Sequence, residues 1–215
     1  MPQDAQDRAG ARLRRAGTEI DPRAQWPSGM PRLGVEMSGR IDAEERAEPG
    51  RALARLSDLG WGSRLAALLG GDDAPVDDSL VEACVGVLRD WGWARRPVAV
   101  VQVPSRRRPQ LVGSLAERLA TIGRLRLLPP LDLVDGGPTG EAGGNSAFRL
   151  AGVWGRIVVG PLLADALRTV DGPVLLVDDL VDSRWTLTVA AREPAPGRRR
   201  RRAAAGARQR RVGAG

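Results

Sequence analysis

Residues 173–186 read PVLLVDDLVDSRWT. Four consecutive aliphatic residues, Val174 to Val177, show no polar alternation, which predicts a strand covered on both faces. Two adjacent carboxylates, Asp178 and Asp179, follow at its carboxyl end. Side-by-side carboxylates repel, and they are tolerated only where solvent, hydrogen-bond donors or a cation meets them. A ribose diol, a metal ion or a helix N-terminus would each serve. The polar turn DSRWT then leads toward a helix beginning near Thr186. Backbone N–H groups in such a turn, with a helix behind them, form an anion cradle. Carboxylates for sugar hydroxyls beside amides for phosphate are what a phosphorylated ribose requires. The plainer alternative is a solvated strand end or a helix cap.

Outward from this stretch, helix and strand signals alternate. PVDDSLVEACVGVLRDWGW predicts a helix capped by Asp78 or Ser79, with Leu80, Cys84, Val87 and Leu88 as its apolar stripe. RPVAVVQVP predicts a second buried strand, and RPQLVGSLAERLATIG an amphipathic helix through Leu111, Leu115, Leu119 and Ile122. LRLLPPLDLV reads as a further strand. GRIVVGPLLADALRTV reads as a short strand, a break at Gly160-Pro161 and a helix. This alternation predicts an α/β fold, a parallel sheet with flanking helices. Upstream, AEERAEPGRALARLSDLGWGSRLAALLG suggests two helical segments broken at Gly60 and Gly62. The chain therefore divides into a polar linker (1–25), a helical connector (26–72), the α/β domain (73–192) and an arginine-rich tail (193–215).

Ligands in parallel sheets bind beyond the carboxyl ends of strands. Two polar clusters occupy such ends: the residues after Val177, and Ser105, Arg106, Arg107 and Arg108 after Val103. A solvated basic loop is the plain alternative for the second cluster. The glycine-rich stretch 136–146 reads as a mobile loop.

Composition removes several chemistries. The 215 residues include no histidine, no lysine and a single cysteine, Cys84. A Ser-His-Asp triad, a histidine-ligated metal, a structural zinc site and an intramolecular disulfide are excluded. No signal peptide and no membrane-length apolar run is present, which predicts a soluble cytoplasmic protein without a membrane partner. The net charge of +7 sits wholly in residues 193–215, which hold eight arginines and one glutamate. Residues 1–192 are balanced. Six tryptophans stand against one phenylalanine and no tyrosine. Packing and helix ends account for five of them, whereas Trp185 lies in the polar turn, where stacking on a base is open to it.

The opening stretch resembles the phosphoribosyl pyrophosphate motif of type I phosphoribosyltransferases. The resemblance implies that Asp178 and Asp179 bind the ribose hydroxyls and that Asp182 is the catalytic acid of purine-type members. The loop through Ser183, Arg184, Trp185 and Thr186 would wrap the 5′-phosphate. Ser105 to Arg108 would form the pyrophosphate loop, with Arg149 in the hood over the site. Mg²⁺ would enter with phosphoribosyl pyrophosphate. Two departures stand out: Arg184 replaces the motif's usual glycine, and Trp185 its small residue or lysine. Longer segments, including AEPGRALARLSDLGWGSRL, GGNSAFRLAGVW and GPVLLVDDLVDSRWTLTVAAR, resemble the C-terminal region of actinobacterial RecQ-type ATP-dependent DNA helicases. There a phosphoribosyltransferase-like domain follows the helicase core. That implies an accessory module in DNA repair or recombination, with DNA, a separate helicase core and a sugar-phosphate nucleotide as partners. An active Mg²⁺-dependent phosphoribosyltransferase is the alternative. Without lysine there is no Walker-type loop, so neither an ATP site nor unwinding by this chain alone is expected.

The tail EPAPGRRRRRAAAGARQRRVGAG has no apolar periodicity. It reads either as a basic segment that neutralises nucleic-acid phosphates or as GC-rich DNA translated out of frame. Freely chosen codons for residues 192–209 allow a shifted frame reading GSLRRAGADAVLPLALA, a helix end plus an apolar strand. On that reading the domain is incomplete at its C-terminus.

Overall fold

Ala99, Val100, Val101 and Val103 are at most 2% exposed in the computed structural model, as expected of a strand with helices or loops on both faces. The structure describes residues 17–139 and 145–192. Residues 1–16 of the N-terminal segment, 140–144 of the glycine-rich stretch and the tail 193–215 lie outside the described residues.

In chain order, β1 (Thr18–Ile20) pairs antiparallel with β2 (Gly50–Ala52). Helices α1 (Trp61–Gly70) and α2 (Asp78–Arg89) precede β3 (Ala99–Gln102), and α3 (Pro109–Gly123) leads to β4 (Arg126–Leu127). Next come β5 (Asp132–Leu133), α4 (Ser146–Ala151), β6 (Ile157–Val158) and α5 (Pro161–Leu167). The described chain closes with β7 (Val174–Val177) and α6 (Trp185–Arg192). The central sheet has three parallel strands in the order β4-β3-β7, with Val100 opposite Leu175 and Gln102 opposite Val177. The protein is thus mixed α/β, with a three-stranded parallel sheet flanked by helices.

Strand alternation sends β3 and β7 side chains to two different cores. Val100, Leu175 and Val177 meet Val112, Ala116, Leu119 and Ala120 of α3. On the other face, Ala99, Val101 and Val103 join Trp26, Met30, Val35, Ile41, Leu150, Ile157, Leu163, Trp185 and Val189. Each fully buried aliphatic side chain there stabilises by about 1.5–3 kcal/mol. Trp26 to Ile41 come from the Pro/Gly-rich connector, which holds its shape through a 3-10 turn at Met30–Leu33 and a bridge between Gln25 and Arg40.

Several expectations are corrected. Of the two helical segments expected between 43 and 70, only Trp61–Gly70 forms an α-helix. The preceding stretch contains a 3-10 turn and the extended β2. Leu59 is 94% exposed, so its helical spacing with Leu53 and Leu56 marks no face. Gly62 lies inside α1, where a Cβ would overlap the Arg55 carbonyl. The N-cap of α2 is Asp77, whose carboxylate accepts the Leu80 N–H at 2.9 Å. Asp77→Ala is expected to cost about 1 kcal/mol in chemical denaturation; an unchanged midpoint would deny the cap its role. Ile122, expected on the apolar stripe of α3, is 51% exposed. LRLLPPLDLV is two strands rather than one. Pro129 and Pro130 end β4, and β5 instead pairs antiparallel with β6, since proline withholds the ladder's N–H. Thr18–Ile20, within the polar linker, is a strand.

Candidate functional site

Because β3 and β7 are parallel and in register, the segments that leave them emerge at the same edge of the sheet. This brings Ser105 to Asp179. The Ser105 hydroxyl donates to the Asp179 carboxylate at 2.6 Å, and its oxygen accepts the Arg108 N–H at 3.0 Å. The Asp179 N–H donates to the Asp178 carboxylate at 2.9 Å. Desolvation by burial, reinforced by the neighbouring Asp179 charge, pushes the Asp178 carboxyl up to about 8. One acid of the pair thus carries a proton near neutral pH, while the other accepts a hydroxyl donor.

The loop after the pair is held by arginines from three parts of the chain. Arg184 has φ +67°, a left-handed conformation that costs a non-glycine residue about 1–2 kcal/mol. The backbone shape that glycine adopts freely is therefore kept, with arginine in it. The Arg184 side chain donates to the Asp21 carbonyl at 3.0 Å, and its own carbonyl accepts the Thr188 N–H at 3.0 Å in the first turn of α6. Arg23 donates from Nε and Nη2 to the Ser183 carbonyl at 3.0 and 2.7 Å, and lies 4.6 Å from the Trp185 ring centroid. Arg149, carried by α4, pairs with Asp182 at 2.9 Å. Partial burial, and then repulsion from Arg184 and Arg149, lowers the Arg23 guanidinium from its ordinary value. The repulsion among these guanidinium groups is met within the protein by the Asp182 carboxylate and by the Ser183 and Asp21 carbonyls.

The structure distributes the remaining candidates unevenly. Trp185 is not a stacking platform. Its side chain is 1% exposed, stacked on Trp26 at 6.0 Å, with its indole N–H donating to Ser146 Oγ at 3.1 Å. It supports the loop from beneath. Thr186 sits half-exposed in the first turn of α6, and Ser183 offers its carbonyl to Arg23 while its hydroxyl oxygen accepts the Trp185 N–H at 3.4 Å. Arg106 and Arg107 are exposed beside the site, Arg106 donating to the Pro138 carbonyl at 3.3 Å.

Arg108 departs from the pyrophosphate-loop expectation. It is buried and donates to the Leu69 carbonyl, satisfying one of the carbonyls that the end of α1 leaves open. Its Nε is buried without a partner among the described residues. Arg23, in contrast, is a site residue that sequence reading missed. It lies 160 positions from Ser183 in a segment that read as linker, and no local pattern marks it.

Among the described residues, no group of three or more His, Cys, Asp or Glu side chains is placed to hold a metal ion. The hard oxygens of Asp178 and Asp179 fit Mg²⁺ only as an ion that keeps its waters and arrives with ligand phosphates. No helix of the described residues is long and apolar enough to cross a membrane. No protein-family model, curated protein or solved structure matches this chain.

Proposed function

We propose that this chain is a phosphoribosyltransferase-like accessory module of a RecQ-type helicase system, without a motor of its own, that binds a phosphorylated ribose such as a nucleotide or a DNA end. The observation that carries the reading is the meeting of the Ser105–Asp179–Asp178 cluster with the three-arginine loop at the start of α6. Asp178 and Asp179 take the ribose hydroxyls, and the 182–186 loop with Arg23 takes the phosphate. Mg²⁺, where present, supplies charge neutralisation to a pyrophosphate group. The long segments resembling the helicase C-terminal region support the RecQ assignment, and an adjacent reading frame with helicase motifs would strengthen it.

Binding is favoured over phosphoribosyl transfer by one contact. Asp182, the acid that a purine-type transferase would use, is engaged by Arg149, and that pair must open before Asp182 can reach a base.

Calorimetry of the full chain with ribose 5-phosphate, and with phosphoribosyl pyrophosphate plus Mg²⁺, tests the proposal. Binding is expected, weakened about tenfold or more in Asp179→Asn and in Arg23→Ala, a loss in keeping with one charge-assisted hydrogen bond. No binding heat from folded wild-type protein would sink the reading.

A further inference from the structure

The segments that enter the central sheet share one edge, opposite the edge that carries Ser105 and Asp179. Parallel register sets Ala99 beside both Arg126 and Val174. Just before β3, the Val98 N–H donates to the Pro173 carbonyl at 3.0 Å, and the Val98 carbonyl accepts the Arg126 N–H at 3.0 Å. Arg95 and Arg96 ahead of β3, Arg124 and Arg126 after α3, and the turn that holds Thr169 and Asp171 are therefore neighbours. All four arginines are exposed. With strands about 4.8 Å apart and about 3.3 Å per residue along each, they start from a patch about 20 Å across.

The way these side chains are held sets them apart from ordinary surface arginines. Arg126 donates from Nη1 to the Thr169 hydroxyl at 2.6 Å, a neutral partner that orients the guanidinium and leaves its charge intact. Arg95 donates to the Asp171 carbonyl at 3.1 Å and meets the Asp171 carboxylate only at 3.5 Å. Both of those side chains are largely exposed, so the pair is weak. Arg124 ends α3 in a left-handed conformation, φ +53°, its N–H donating to the Thr121 carbonyl at 3.3 Å. Among the described residues, no carboxylate lies within ion-pair distance of Arg96, Arg124 or Arg126.

Guanidinium groups that keep their charge and stand on ordered backbone are a preorganised receptor for phosphates. Several in one patch match a repeated anion rather than a single one. A nucleic-acid strand offers a phosphate about every 3.4 Å, so a patch of about 20 Å faces about six of them. An anionic lipid surface is the competing anion, because Val98, Ile122 and Leu127 are part-exposed at the same edge. Three scattered aliphatic side chains fall short of the continuous apolar face that seats a protein in a lipid interface, which favours nucleic acid.

We propose that this amino-terminal edge of the sheet binds the phosphate backbone of nucleic acid, without reading its sequence, through Arg95, Arg96, Arg124 and Arg126. The surface lies across the sheet from the sugar-phosphate site, and the inference does not depend on that reading.

Fluorescence anisotropy of the full chain with a labelled single strand of about 20 nucleotides, from about 50 to about 200 mM salt, provides the test. Arg96→Gln/Arg124→Gln/Arg126→Gln is expected to bind about tenfold more weakly at the lowest salt. Its plot of log K against log salt should be shallower by about 2, as for three lost contacts at about 0.7 each. Arg32→Gln/Arg40→Gln/Arg55→Gln removes the same charge from exposed positions upstream and should keep the wild-type slope. Residues 193–215 are common to every variant, so their own contribution cancels in the comparison. Arg96→Gln alone, in a loop, should lower the slope by about 0.7 and carries the test if the triple variant does not fold. Equal losses in the two triple variants would overturn the proposal, since net charge and not this edge would then set the affinity. An unchanged slope in Arg96→Gln/Arg124→Gln/Arg126→Gln would overturn it too. If that variant lost binding to phosphatidylserine-containing vesicles but kept its nucleic-acid affinity, the edge would belong to a membrane and the proposal would fall.

Discussion

Asp178→Asn is expected to stabilise the protein at pH 8 by about 3 kcal/mol or more. The Asp178 carboxyl sits at about 8 in the fold, against 3.8 ordinarily. Between those values the folded chain holds a proton that the unfolded chain has released. Stability is therefore fully present below about pH 4, falls as the pH rises, and levels off above about pH 8. Asparagine is neutral throughout and retains an oxygen for the Asp179 N–H. Urea titrations at intervals from pH 5 to pH 9 should show wild-type stability falling and the variant nearly flat. A wild type without slope in that window, or a variant with the same slope, would refute the assignment. Asp178 also shows why a ligand would be favoured here. Ribose hydroxyls or a cation would add donors or charge to a half-buried acid pair whose present donors are the Ser105 hydroxyl and the Asp179 N–H.

The second large effect concerns Trp185. Truncating this buried indole in Trp185→Ala is expected to cost about 3–5 kcal/mol. The Trp26 stack, the Arg23 contact and the Ser146 hydrogen bond go with it. Trp185→Phe keeps a ring and loses the indole N–H, so its cost should be nearer 1 kcal/mol. Denaturant midpoints of the two variants separate packing from hydrogen bonding. If Trp185→Ala unfolded at the wild-type midpoint, Trp185 would not be a core residue. On the proposed function, a loop that loses this support should also lose phosphate affinity, although Trp185 itself would offer the ligand no side chain.

The legible part of the fold was the part with an unbroken apolar run or a helical repeat. VAVVQV and VLLV announce strands because a strand covered on both faces admits no polar alternation, and α3 shows its face through Leu111, Leu115 and Leu119. Nothing periodic marks Trp26, Met30, Val35 and Ile41. They enter the core from turns, where each buried side chain is placed by a local backbone bend rather than by a repeat. Proline pairs mislead in the same way. Pro129 and Pro130 split one apolar run between two sheets, an outcome decided by pairing partners that lie far along the chain. In the site, Ser105 and the Asp178–Asp179 pair were readable because strand ends in a parallel sheet converge. Arg108 was not, since the same loop residue can face a ligand or a neighbouring helix end, and only the position of Leu69 decides. Trp185 looked anomalous in a phosphate-type loop, and the anomaly has a structural cause: the loop rests on the core through that residue.

The clasp of Arg23 on the Ser183 carbonyl also sets an order of events in folding. A contact spanning 160 positions closes a long loop, whose entropic cost rises with length but only slowly, by about 0.6 kcal/mol per doubling. Its kinetic weight is larger, because contacts distant in sequence form late. The β3–α3–β4 unit has only local crossovers and can assemble while the rest of the chain is still searching. The arginine loop cannot take its final shape until the segment around Arg23 has returned to it. The proposed ribose-phosphate binding should therefore appear last during refolding, after the sheet's circular dichroism signal has already recovered.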